Sequence, residues 1–276
     1  MRLAIGVLVV VAAAAVAVAA ILAVRRRAPE GGFFTDGDRA AGVFGVLATG
    51  FAVLLGFVVF LAFESFDDSR VGADTEALLV VQQFETAQLL PAAARPALGG
   101  DLVCYARYVV EREWPQMEDG TQTDTINPWG ASLFLTLRGV EPRTAAQQAA
   151  YSKWLDQTTD REGARLDRIH GAQGIITGTL WVVLFFTAGV IFVFMLFFAD
   201  RGERALVQGV LIGSVTAVIT ATMLVIGAIA DPYRDGFGGL QPTAMERTLN
   251  LLDQAGAVAG STAPPPCGAD GEPRAT

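Results

Sequence analysis

The sequence predicts an all-α integral membrane protein with four transmembrane helices and a helical soluble domain between the second and third spans. A membrane-spanning helix needs about 20 mostly apolar residues, because the hydrocarbon core of a bilayer is about 30 Å thick. Four long blocks meet this length and contain no Asp, Glu, Lys, Arg or His: Leu3–Val24, Ala40–Phe63, Gly171–Ala199 and Ala205–Ala230. Between the second and third blocks, apolar residues recur at helical spacing and never alternate with a period of two, which favours helices over a sheet.

The composition agrees with a membrane location and argues against a nucleic-acid partner. Hydrophobic residues make up 52% of the 276-residue chain, and only 17% of residues are charged, against about 25% in soluble domains. The net charge is −8 and no long basic stretch is present, so no nucleic acid is expected to bind. The many Ala, Gly and Arg residues, with a single Lys, indicate a GC-rich bacterial genome, and hence a multi-pass protein of the bacterial plasma membrane.

The first two spans are predicted at about 3–24 and 40–63, within a transmembrane hairpin of residues 1–66. The first apolar run exceeds the 7–15 residues typical of a signal-peptide core, and Arg25, Arg26 and Arg27 follow it directly, so we expect it to be retained. After Phe63 the second helix meets no Pro or Gly until Gly72, which is the first weak point. One long helix, or two nearly collinear ones, is predicted to continue beyond the membrane to Leu90, where Pro91 ends it.

The soluble helical domain is predicted over residues 67–172. Asp101 is a suitable N-cap for a helix that Pro115 would stop, and two further helices follow. Their predicted ranges are Trp129–Leu137 and Pro142 to about His170.

The second transmembrane hairpin is predicted over residues 173–230, with spans at about 174–199 and 205–230. Five residues, Asp200–Arg204, link them, so the connection must be tight. The tail comprises residues 231–276. It begins with a sharp break at Asp231–Gly236, continues with an amphipathic stretch at Met245–Leu252, and is expected to be disordered from about 256 because prolines stand there among small residues.

The orientation in the membrane stays open at this stage. Short Arg-rich loops tend to remain in the cytoplasm, and both inter-helix loops carry Arg. That rule places the soluble domain and the tail outside, where Cys104 and Cys267 could form a disulfide.

Nothing in the sequence predicts an enzyme, a cofactor or a metal site. The two cysteines show no CxxC or Cys/His spacing, and His170 is the only histidine. Carboxylates such as Glu111 and Glu113 are expected on a solvated surface. The spans carry no ionisable residue, which argues against proton-coupled transport, and their hydroxyls are expected to bond to their own helices.

One face of the second span is a candidate pore surface. Thr49, Val53, Phe57 and Leu61 follow each other at intervals of four residues and therefore share a face, with Phe60 and Phe63 beside it. Several such faces around a symmetry axis would form a narrow hydrophobic neck that gates by dewetting. A stripe of this kind can also face lipid or pack inside the subunit.

Three segments resemble a known family. The segment from Leu55-Gly56-Phe57 through Phe66-Asp67-Asp68-Ser69-Arg70 resembles the second helix of bestrophins. The Glu111–Pro115 segment and the break at Asp231–Gly236 are similar to a bacterial membrane protein family of unknown function that has a bestrophin-like domain. The resemblance covers about residues 1–255 in element order.

The resemblance implies a homopentameric anion channel whose second helices line the pore. It places Thr49, Val53 and Phe57 at the neck, although only Phe57 has the bulk found in bestrophins. It also implies a cytoplasmic soluble domain, opposite to the charge rule. The predicted soluble domain has 10 basic and 16 acidic residues between Asp67 and Ala172, so an anion vestibule would need the bases Arg161, Arg165 and Arg168 to face the axis. Asp231 and Asp235 are too sparse to predict calcium binding.

Two functional hypotheses follow. The first is a homo-oligomeric channel in the lipid bilayer that passes chloride or other small anions. The second is a non-conducting membrane scaffold or sensor that binds a partner through its soluble domain.

Overall fold

The computed structural model describes residues 3–120, 126–174, 176–234, 238–258 and 264–274. Apart from an isolated bridge between Cys267 and Pro273, the regular elements in these residues are helical. The α-helices are α1 (Leu3–Arg25), α2 (Gly37–Ala87), α3 (Arg95–Tyr108), α4 (Trp114–Glu118), α5 (Pro128–Arg138), α6 (Ala145–His170), α7 (Gly178–Leu196), α8 (Ala205–Ala230) and α9 (Thr243–Val258). The predicted all-α fold is confirmed.

The four predicted spans correspond to α1, α2, α7 and α8, which are long and apolar enough to cross a membrane. The second of these is a single helix of 51 residues, which is the first of the two predicted alternatives. It passes through Gly72 without interruption and ends at Ala87, three residues before the predicted end.

The chain divides into two compact units. The membrane unit consists mainly of Met1–Glu64 and Ile175–Ala230, and the helical unit mainly of Ser65–Gly174 and Gly239–Thr276. In the membrane unit, Phe51, Leu55 and Val58 of α2 pack against Leu184 and Ile191 of α7 and Ile226 of α8. Gly209 and Gly213 of α8 leave room for the side chain of Val18, so the small residues allow α1 and α8 to approach closely.

The two short loops of the membrane unit are tied to each other. The guanidinium of Arg25 donates to the backbone carbonyls of Asp200 (3.1 Å), Arg201 (3.0 Å) and Glu203. Arg201 in turn donates to the carbonyl of Arg26 (2.6 Å). Both loops therefore lie at the same end of this unit, as four consecutive spans require.

The helix predicted between Asp101 and Pro115 has a different start and end in the structure. Asp101 is not an N-cap, because α3 begins at Arg95 with Pro96 in its first turn, where a missing N–H costs nothing. Asp101 is instead buried and accepts a hydrogen bond from the hydroxyl of Ser132 (2.8 Å). Pro115 does not stop the chain either: a π-helical turn over Val109–Glu113 leads into α4, so Pro115 follows a widened turn in which its missing donor is tolerated.

The expectation of disorder from about residue 256 is wrong for part of the tail. The α9 helix continues to Val258, and residues 264–274 are held on the helical unit by a disulfide between Cys104 and Cys267. Asp235, Gly236 and residues 259–263 and 275–276 lie outside the described residues.

Candidate functional site

The stripe on α2 lies on the face that the rest of the membrane unit leaves uncovered. Val53 is 54% exposed and Phe57 is 65% exposed, and Thr49 is also exposed. The opposite face of the same helix is buried at Phe51 and Val58. Packing inside the subunit, one of the two alternatives for this stripe, is therefore excluded.

The uncovered face of α2 also includes the fourth residue of the predicted stripe, Leu61, and the two flanking aromatic residues. Phe60, Leu61 and Phe63 are all about half exposed or more. A Cβ atom added at Gly42, Gly45 or Gly56 would meet no other atom. At 100° per residue these glycines lie within about 60° of Thr49 around the helix. The face is thus long, uncharged and open, and an aromatic cluster follows Gly56.

Three hydroxyls in the spans donate to backbone carbonyls of their own helices. Thr187 donates to the carbonyl of Val183 (2.8 Å), Thr222 to that of Val218 (2.9 Å), and Ser214 to that of Leu211 (3.0 Å). This confirms the expected role of these three hydroxyls. Sequence reasoning missed one polar residue, Gln208 of α8, whose amide donates to the Asp200 carbonyl (3.0 Å) at the loop.

The sequence analysis did not predict a buried ion network in the helical unit that joins α2, the π-helical turn and α6. Arg168 binds the carboxylates of Glu76 (2.5 Å) and Glu113 (2.5 Å), and the side chains of all three residues are at most 1% exposed. Arg165 also binds Glu113 (2.9 Å), and the hydroxyl of Tyr105 donates to Glu76 (2.6 Å). We refer to these five residues as the buried ion network.

The electrostatics of the network favour its charged state. Burial alone would raise the pKa of Glu113, but the positive charges of Arg168 and Arg165 outweigh this effect and hold the pKa below its ordinary value. Burial likewise opposes the charge of Arg168, but Glu76 and Glu113 raise its pKa above the ordinary value. Burial, followed by the charge of Glu76, raises the pKa of the Tyr105 hydroxyl, which stays a hydrogen-bond donor.

The placement of Glu113 and of two of the three bases corrects the sequence analysis. Glu113 was expected on a solvated surface, but it is buried because two arginines neutralise it. Arg161 and Arg168 are fully buried and therefore cannot line an anion vestibule. Arg161 donates to Gln83 (2.7 Å) and lies over the ring of Tyr105. The face of α6 with Ala150 and Trp154 continues through Arg161 and Arg168 at helical spacing, and this pattern could have predicted their burial.

The buried ion network does not form a ligand site. The adjoining cavity, lined by Glu76, Trp114, Arg168 and Met245 among others, measures about 10 Å³, which is the space of roughly one water molecule. Within the described residues no group of His, Cys, Asp or Glu could hold a metal ion. The open face of α2 is therefore the candidate functional surface.

Comparisons with known proteins agree with the architecture. A family model described as a bestrophin-like domain matches residues 9–245. A crystal structure of a bacterial bestrophin homologue from Klebsiella pneumoniae, carrying a point mutation, matches with a TM-score of 0.64 at 15% identity, covering 93% of this chain and 100% of that one. A structure described as a membrane protein gives a TM-score of 0.64 at 16% identity, covering 91% of this chain and 98% of its own. No curated protein matches.

Proposed function

Because the chain belongs to the bestrophin-like domain family, we propose that it is a homo-oligomeric ion channel of the bacterial plasma membrane whose pore is lined by α2. The observation that carries this proposal is the open, uncharged face of α2 with Thr49, Val53 and Phe57. No neighbouring helix of the same subunit covers Val53 or Phe57. Several copies with this face turned toward a common axis would enclose a narrow neck, and by resemblance the number of copies is five.

The neck would control conduction by its apolarity. A constriction lined by Val and Phe side chains holds water poorly, so small changes in width switch it between dry and wet states. The positive edges of aromatic rings can favour anions, so chloride or other small anions are the proposed cargo. The function needs no catalytic residue, cofactor or metal.

Purified protein tests the proposal in two steps. Its size in detergent must exceed that of a dimer, since one or two copies of α2 cannot enclose a pore. In planar bilayers, Phe57→Ala should increase the current several-fold because the smaller side chain widens the neck and lets it fill with water. Phe186→Ala is the matched control. Phe186 is 70% exposed but lies on α7 rather than on the proposed pore helix α2, so its replacement should leave the current unchanged.

A second candidate function rests on the charge of the helical unit. Arg161 and Arg168 are buried, but so are the carboxylates Glu76, Asp101 and Glu113, so burial does not cancel the excess of acidic residues between Asp67 and Ala172. An acidic surface suits a scaffold or sensor that binds a basic partner protein. A protein that is a monomer or dimer in detergent and passes no current would favour this function and contradict the channel.

A further inference from the structure

The disulfide in the helical unit bears on a question that the sequence left open, namely which side of the membrane this unit occupies. Cys104 lies in α3 and Cys267 in the tail, 163 residues apart, and both are fully buried. No free cysteine is present among the described residues. Disulfides form and persist in oxidising compartments and are rare in the cytoplasm.

The tail segment 264–274 also binds the helical unit through contacts that do not depend on the sulfur–sulfur bond. The indole of Trp129 donates to the carbonyl of Gly271 (2.6 Å). Arg112 binds Asp270 (3.2 Å) and Glu272 (3.3 Å). A Cβ atom at Gly100 would lie 3.0 Å from Pro266, so the tail also fits closely against α3. The fold itself therefore brings the two thiols together.

The charges of the two short loops give an independent indication. Arg26 and Arg27 are exposed in the first loop, as are Arg201 and Arg204 in the second, and the Arg25 contacts bring the two loops to one end of the membrane unit. Short loops enriched in Arg remain in the cytoplasm. Because each of the four spans crosses the membrane once, the chain segments beyond the opposite ends of the spans lie on the other side.

We infer that the helical unit, with the Cys104–Cys267 disulfide, lies on the extracytoplasmic side of the membrane. The loop charges and the disulfide require the same orientation, although they have different physical causes. The inferred side is opposite to the cytoplasmic placement that the bestrophin resemblance implies. The inference does not depend on whether the protein conducts ions.

The orientation also defines how the disulfide forms. Two thiols lose two protons and two electrons as the sulfur–sulfur bond forms. An extracytoplasmic thiol oxidant that itself carries a disulfide accepts these two protons and two electrons and becomes a dithiol. Cys267 follows α8 in the chain. Oxidation can therefore occur only after both helices of the second hairpin have been inserted and the tail has been exported.

Thiol labelling of intact bacterial spheroplasts tests the inference in the full-length protein. Two reporter variants retain the native cysteine pair: Ser152→Cys on an exposed position of α6, and Thr35→Cys on an exposed position of the first loop. The probe is a charged maleimide that cannot cross the membrane. We expect it to label Ser152→Cys in intact spheroplasts and Thr35→Cys only after lysis, while the parent protein reacts only after reduction.

Two results would overturn the inference. One is the reverse pattern, with Thr35→Cys labelled from outside and Ser152→Cys protected until lysis. The other is free thiol in the parent protein when cells are quenched in acid and alkylated under denaturing conditions without a reductant. This second measurement needs no variant, so a reporter that fails to fold does not leave the inference untested.

Discussion

Replacing Arg168 by Met should lower the free energy of unfolding far more than the loss of an ordinary surface ion pair does. The Arg168 guanidinium binds both Glu76 and Glu113, and its carbonyl accepts from the hydroxyl of Tyr233 (2.7 Å). Methionine retains the backbone contact and much of the side-chain volume. The substitution therefore mainly removes the positive charge between two buried carboxylates.

The contacts of the two carboxylates set the expected magnitude. Glu113 would keep Arg165 and the amide of Asn127 as partners, whereas Glu76 would keep the Tyr105 hydroxyl. The main cost is thus one carboxylate left buried without a cation. Removing one partner of a buried ion pair costs about 3–5 kcal/mol, so the free energy of unfolding of the helical unit should fall by about that amount.

Arg112→Met is the matched control, since Arg112 also binds two carboxylates. Its side chain is 45% exposed, and exposed ion pairs contribute only about 0–1 kcal/mol. Urea unfolding in detergent, followed by tryptophan fluorescence, measures both variants, because Trp114, Trp129 and Trp154 all lie in the helical unit.

Equal losses for Arg168→Met and Arg112→Met would refute the assigned role of burial. The double variant Glu76→Gln with Arg168→Met provides a second check. It removes the unpaired charge together with its partner, so it should recover part of the stability that Arg168→Met alone loses.

Three further predictions concern the helical unit. Gly72→Ala should destabilise it by about 1–3 kcal/mol, because a Cβ atom there would lie 2.8 Å from the Ala164 carbonyl oxygen. Gly163→Ala is the control in the same urea titration: a Cβ atom at Gly163 would meet no other atom, so this variant should be more stable by about 0.5–1 kcal/mol. Since the folded-state pKa of Glu113 is lowered, its contribution to stability is complete above the ordinary value of 4.5 and is lost as the pH falls below that value toward the lowered pKa. Glu113→Gln should therefore be less stable at neutral pH and should lack this part of the acid dependence. An unchanged acid dependence would contradict the assignment. Cys104→Ser should speed amide hydrogen exchange in residues 264–274 while α5 stays protected, and equal exchange rates would mean that the noncovalent contacts suffice.

Local sequence patterns predicted the membrane helices well. A transmembrane helix depends on its own length and on the absence of charge, and both can be determined from one segment alone. The extension of α2 beyond the membrane is charged, and it was predicted from a different local property, the absence of Pro and of Gly between Phe63 and Gly72. Gly72 was expected to be a weak point of this helix. It is instead the position where α6 approaches α2 so closely that a side chain would collide.

The buried ion network could not be predicted from local patterns, because its members come from segments far apart in the chain. The spacing along α6 indicates that Arg168 is buried, but Glu76 and Glu113 resemble solvated surface residues in the sequence. Their burial is tolerated only because each carboxylate is paired with an arginine. The tail is a similar case: its prolines and small residues indicate disorder, but Cys267 and Trp129 hold it in place. The stripe of Thr49, Val53 and Phe57 was identified from spacing alone, and its role in a pore stays a prediction.

Chemical modification of a single position on the α2 stripe tests the central claim most directly. Val53→Cys would place a thiol in the proposed neck, and Val182→Cys would place one at a similarly exposed site on α7, where Val182 is 68% exposed. During a bilayer recording, a charged methanethiosulfonate reagent should rapidly change the current through Val53→Cys channels and leave Val182→Cys channels unaffected. A current that responds to neither variant, or equally to both, would show that the stripe does not face the conducting path.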